Sequence, residues 1–184
     1  METLEPTLIG AMPCLIISYI GYSAIYTFLL KRYRLAFEAY TEAEKSSDKA
    51  DWEIFHNVGE CLILLGNIPK AREYVNKAVQ CGKQETSYAL LIKILLMEND
   101  IRSAVAVCNA ALEVCPDSVD MLSKSGLLYI KTGQTQLAFE RLSSGLALNP
   151  TCAEALLGIG CITQSHEEYD VALTKYKLAV QHRP

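Results

Sequence analysis

The chain has 184 residues, enough for one domain with a sizeable core, and carries a net charge of −4 with 21% charged and 51% apolar residues. That composition excludes a disordered chain, and its acidic balance excludes a nucleic-acid binder held by phosphate contacts. Seven cysteines, at 14, 61, 81, 108, 115, 152 and 161, form an odd set with no CxxC pair, which points to a reducing compartment and to thiols acting as small buried hydrophobes.

The first segment, Met1 to Ile16, holds Pro6 and Pro13, fits no later pattern and reads as an atypical leader. It overlaps Leu8–Leu30, 23 residues without a charged side chain, followed at once by Lys31, Arg32 and Arg34. At about 1.5 Å of rise per residue such a stretch can span a bilayer, with the basic cluster on the cytoplasmic side. Glu2 and Glu5 make the start acidic, so it is not a secretory signal peptide. The other reading is a buried first helix over Ile17 to Leu30, because "YTFLLKRYRLAFEAY" fits a helix, a turn and a second helix. Both readings stand at this level.

From here the chain repeats itself. "AFEAYTEAE" from Ala36 is echoed by "AREYVNKAV" from Ala71, "AVAVCNAAL" from Ala104, "AFERLSSGL" from Ala138 and "ALTKYKLAV" from Ala172. The leading alanines stand 35, 33, 34 and 34 residues apart. Seven residues further on, each segment has a second small residue: Ala43, Ala78, Ala111, Gly145 and Ala179. Gly59, Gly126 and Gly160 each lie twelve residues before a leading alanine, and Pro116, Pro150 and Pro184 keep the same 34-residue beat. Apolar residues at i, i+3, i+4 and i+7 give two amphipathic helices per unit. Small residues mark where the two helices cross, since close backbones leave no room for a long side chain. Proline ends a second helix, Pro69 fits the first turn of another, and Gly66 and Gly133 fit the turns between helices. The helix pairs are predicted at about 17–46, 52–82, 85–115, 119–149 and 153–182.

Five such units, about 17–50, 51–84, 85–118, 119–152 and 153–184, predict an all-α, right-handed α-solenoid with a concave face. The pattern resembles the tetratricopeptide repeat (TPR). It departs from it at Ile92, which replaces the small residue of the third unit, and at Lys83, where the second unit lacks its proline. Altered packing is expected near residues 83–92. "DWEIFHNVGECLILLG", "SGLLYIKTGQTQLAFERLSSGLALNPTCAEALL" and "YDVALTKYKLAV" resemble, more narrowly, the Bardet-Biedl syndrome 4 family of BBSome subunits. The resemblance implies a non-enzymatic scaffold in ciliary membrane-protein trafficking and cilium assembly. Its partners would be the other subunits of a BBSome-like complex and centriolar satellite proteins. Its location would be the cytoplasm, cilium, basal body and satellites, with only indirect membrane contact. The alternative is a membrane-anchored TPR receptor, spanning at Leu8–Leu30 and binding cytosolic clients. The family solenoid has more repeats, and no polar cap follows "ALTKYKLAV", so the chain is expected to be a fragment with an apolar strip at that end.

No residues stand out for catalysis or for a cofactor. The sequence has no phosphate-binding glycine loop and no GxSxG. Cys161 and His166 lack companions for a metal site, and "HEEYD" at 166–170 reads as a polar turn. Function is expected on first-helix positions that the packing leaves free. By register these are Glu53, His56 and Glu60; Lys93 and Met97; Asp120, Ser123, Leu127 and Ile130; and Glu154, Leu157, Cys161 and Gln164. Some members of the repeat family grip a peptide's terminal carboxylate with lysine and asparagine. The matching positions are His56, Asn57, Glu60, Ala89, Lys93 and Lys124, and acidic Glu60 argues against that use. A mixed polar and apolar groove suits a helix or an extended segment of another subunit.

Overall fold

The computed structural model describes Ala24, Ile25, Phe28 and residues 31–46 and 51–182. The leader and most of Leu8–Leu30 lie outside them. The described elements are helices: α1 Tyr33–Ser46, α2 Trp52–Leu64, α3 Ile68–Gly82, α4 Glu85–Met97, α5 Ile101–Val114, α6 Val119–Lys131, α7 Thr135–Leu148, α8 Ala153–Ser165 and α9 Tyr169–Gln181. They form an all-α array of TPR helix pairs. The chain divides into two compact units, Met1–Ile94 and Leu95–Pro184. In the first, α2 packs on α3 and on α1; in the second, α6 pairs with α7 and α8 with α9, while α5 packs on α6, α7 on α8, and α6 on α8.

The crossing rule is visible atom by atom. A Cβ on Gly59 would lie 2.4 Å from Val75 Cγ2, one on Gly126 2.5 Å from Leu142 Cγ, and one on Gly160 2.5 Å from the Tyr176 ring. The partner in each case sits four residues after a leading alanine. The leading alanines are themselves closed off, with Ala36, Ala71, Ala104 and Ala138 at zero exposure. Ala24, twelve before Ala36, is helical and equally buried. In the third repeat Ile92 is buried, and the residue in register with Val75, Leu142 and Tyr176 is the small Cys108.

Each helix end has a local cause. Asp51, Asn67, Asp100 and Ser118 accept at the N-termini of α2, α3, α5 and α6 from the backbone of Glu53, Lys70, Ser103 and Met121. Cys115 and Asn149 close α5 and α7, each just before a proline. Between α3 and α4 there is no proline; Lys83 takes a left-handed conformation instead, at φ 48°. That junction is two residues long, Lys83 and Gln84, where the later ones run to four, 115–118 and 149–152.

The turn within each pair repeats one conformation. Lys31, Gly66, Asn99, Gly133 and Glu167 have φ between 58° and 79° and stand five residues before the five leading alanines. The amide after the turn reaches back five residues, as from Asn67 to the Leu62 carbonyl at 2.8 Å and from Glu168 to that of Thr163 at 3.0 Å. Among the described residues no helix is long and apolar enough to cross a membrane.

Two measurements test this packing. A non-glycine left-handed residue costs about 1–2 kcal/mol, of which glycine's chain entropy returns about 0.5–1. Glu167→Gly should therefore raise the stability read by urea titration by about 0.5–1 kcal/mol, and an unchanged midpoint would count against the turn. Ala138→Arg should be strongly destabilising, since overpacking alone costs about 1–3 kcal/mol before any charge is buried. A variant melting with the wild type would mean the helices do not cross there.

Candidate protein-binding face

In the first unit the face is built on α2. Its N-terminal turn carries Glu53, whose carboxylate favours the positive end of the helix dipole. One turn on, the partly buried His56 ring meets Trp52 edge-on, with centroids 6.3 Å apart. Its Nδ1 lies 3.3 Å from the Ser87 hydroxyl on α4. Burial lowers the pKa of His56, and the Glu60 carboxylate on the next turn works against that shift. Burial pushes the Tyr40 phenol and the Cys61 thiol up to about 12, with Glu60 adding to both. Asn57, Glu60 and Ala89 are partly exposed, and Lys93 is exposed.

In the second unit the face lies on α6 and α8, first helices of successive pairs that pack on each other. Asp120 forms an ion pair with Lys124 one turn away on α6. Lys124 is therefore engaged at one of the carboxylate-gripping positions, which agrees with Glu60 in disfavouring that use. Leu127 and Ile130 are partly exposed on α6, while Glu154, Leu157, Cys161 and Gln164 are exposed on α8. Leu157, Cys161 and Gln164 fall at i, i+4 and i+7, so they share one stripe. Met97, at the end of α4, is 54% exposed.

One expected residue does not belong. Ser123 is fully buried, donates to the Val119 carbonyl at 2.8 Å and lies 3.3 Å from Cys152 Sγ. A short hydroxyl that bonds its own helix backbone turns inward where a longer polar side chain would stay in water. One residue was missed. Tyr176 stands on α9, a second helix, yet its hydroxyl donates to Gln164 Oε1 at 2.8 Å and lies 3.6 Å from Cys161 Sγ. The available signal was its register, four after Ala172 and opposite Gly160. Among the described residues no three of His, Cys, Asp and Glu gather in a cluster that could hold a metal ion.

No family model matches the chain. The BBSome complex member BBS4 of Bos taurus is 40% identical over 151 residues, covering 82% of this chain and 29% of its own length. That of Mus musculus is 39% identical over the same span and coverage. The chain is homologous to BBS4. It spans under a third of the length of these curated relatives. A TPR protein of Thermus thermophilus, TTC0263, superimposes with a TM-score of 0.66 at 21% identity over 91% of this chain and 92% of its own. That likeness shows the fold alone.

His56 makes the face pH-sensitive. Its folded-state pKa is lowered from 6.5, so the unfolded chain takes up the proton first. The stability due to the neutral ring is complete above pH 6.5 and is lost as pH falls below it towards the folded pKa. Wild type should lose more stability than His56→Gln between about pH 7.5 and 5.5. Parallel pH profiles for the two proteins would show that the ring is not held neutral.

Proposed function

We propose that the chain is a non-catalytic protein–protein interaction scaffold working in a BBSome-type assembly. The homology to BBS4 carries this reading, and the first-helix face gives it a physical means. In the second unit that face mixes exposed Leu157 and partly exposed Leu127 with charged Asp120, Lys124 and Glu154. Apolar side chains ringed by polar ones suit a protein partner, because the apolar part gains from leaving water while the polar rim selects. The partners are other subunits of the complex and centriolar satellite proteins. The place of work is the cytoplasm, the cilium and the basal body. Contact with the membrane is indirect, through the assembly.

Leu157 is the side chain to test, being apolar and 40% exposed on the face. The tagged chain is mixed with a BBSome assembled without its BBS4 member, and retention is measured by size exclusion. Wild type should co-elute with the complex. Leu157→Asp should weaken retention at least about tenfold, since truncating an apolar anchor commonly costs more than 1 kcal/mol, and should leave the melting temperature unchanged. Failure of the wild type to co-elute would overturn the scaffold reading.

A further inference from the structure

Two turns of the array share one framework and carry opposite charge. Residues 31–36 read "KRYRLA" and residues 167–172 read "EEYDVA". Each leads into a second helix, α1 or α9, and each starts on a left-handed residue, Lys31 at φ 58° and Glu167 at φ 66°. The tyrosine, the branched apolar residue and the alanine recur, while the three cations of the first turn become three carboxylates in the second. The turns between them, "GNIPKA", "NDIRSA" and "GQTQLA", carry at most one charge of either sign. Lys31, Arg32 and Arg34 are exposed, and so are Glu167, Glu168 and Asp170. Among the described residues Arg34 pairs with Glu38 at 3.4 Å in a solvated contact, and the other five form no ion pair. Each edge also bears an exposed apolar side chain, Leu35 at 47% and Val171 at 45%. The carboxylates suit their place, since Asp170 lies in the first turn of α9, at the positive end of its dipole. The cations do not suit theirs. Lys31 and Arg32 stand just ahead of α1, which has no acidic residue in its first turn to offset them.

We propose that these edges are the two halves of a contact between copies of this chain, the Lys31–Arg32 edge of one copy seated on the Glu167–Glu168 edge of the next. This goes beyond the scaffold reading and does not rest on it. A second copy is the occupant because the chain itself supplies the matching half, of opposite sign and on the same backbone turn. Brought edge to edge, the cations face carboxylates, and Leu35 and Val171 leave water in the same contact. Like edges repel, so the contact is heterologous, each copy using a different edge from its neighbour. One turn from each side makes a small interface, of the kind found in weak and transient encounters. Exposed ion pairs are individually weak and are screened by salt. The association is therefore reversible and salt-sensitive, with the charges selecting the partner edge more than they tighten the grip.

Sedimentation equilibrium of the full chain tests this. At about 20 mM salt the average mass should rise above that of the monomer as the concentration is raised to several hundred micromolar. At about 500 mM salt, where the Debye length is about 4 Å, it should return to the monomer. Association through apolar surface alone would not weaken with salt. Lys31→Glu with Arg32→Glu makes both edges acidic, and Glu167→Lys with Glu168→Lys makes both basic. Each double variant should lose self-association by at least about tenfold. The two variants mixed in equal amounts should associate again, because unlike edges meet once more. All four positions are exposed, and a lysine already holds the left-handed turn at residue 31, so the melting temperatures should change little. A wild type that stays monomeric at low salt, reversed variants that associate like the wild type, or a mixture that stays monomeric would each overturn the proposal and leave the scaffold reading untouched.

Discussion

Everything in these repeats depends on how closely two helices approach at one point. Gly59, Gly126 and Gly160 let Val75, Leu142 and Tyr176 lie against bare backbone, nearer than any Cβ would permit. Such a contact has no slack. It sets the distance within the pair and the angle at which the second helix leaves the turn. The leading alanines sit on the other side of the same crossing, and their burial follows from it. Gly158 extends the principle to the stacking of pairs, since a Cβ there would meet Leu142 at 2.6 Å and Leu127 at 3.2 Å. Leu142 thus fills two close approaches at once, and it belongs with Tyr129, Ala155, Ile159 and Ile162 in one cluster of buried residues.

The crossing explains why so much was legible from the residues. A glycine or alanine demanded every 34 positions is a loud signal, and the helices fall where that beat places them. The turns were half legible. Gly66 and Gly133 announce a left-handed backbone, but Lys31, Asn99 and Glu167 adopt the same conformation with a Cβ, at a cost the packed helices impose. Nothing in a lysine or a glutamate says so; only the alanine five residues on does. Ser123 was illegible for a different reason. Its place on the helix is that of a face residue, and its inward turn is decided by a bond to the Val119 carbonyl that no periodicity encodes.

Buried polar groups show where the pattern is relaxed. Ser125 is fully buried, and its hydroxyl has no partner among the described residues. At the same register the other repeats carry Val58, Leu91 and Ile159. An unsatisfied hydroxyl costs of order 1–3 kcal/mol, so this position is weaker than its counterparts. Thr163 is also buried but bonds the carbonyls of Ile159 and Gly160 at 3.1 Å, which removes most of that penalty. The two residues differ in whether the helix backbone answers them, and that difference cannot be read from residue type.

Packing and exposure are thus carried by different positions of the same helix. At the crossing positions the repeats use small residues, except in the third, which carries Ile92 in the glycine register and the small Cys108 in the register of Val75, Leu142 and Tyr176. Eleven residues before the leading alanines they differ, with Ile25, Glu60, Lys93, Leu127 and Cys161 in turn, all at least partly exposed. At the second unit's face a second helix also takes part. Tyr176 spends its ring on the crossing with Gly160 and its hydroxyl on Gln164, so the rigid contact that positions the helices also holds a polar group on the face. A polar group held in this way has less freedom to lose than a mobile one, because the packing has already fixed its place.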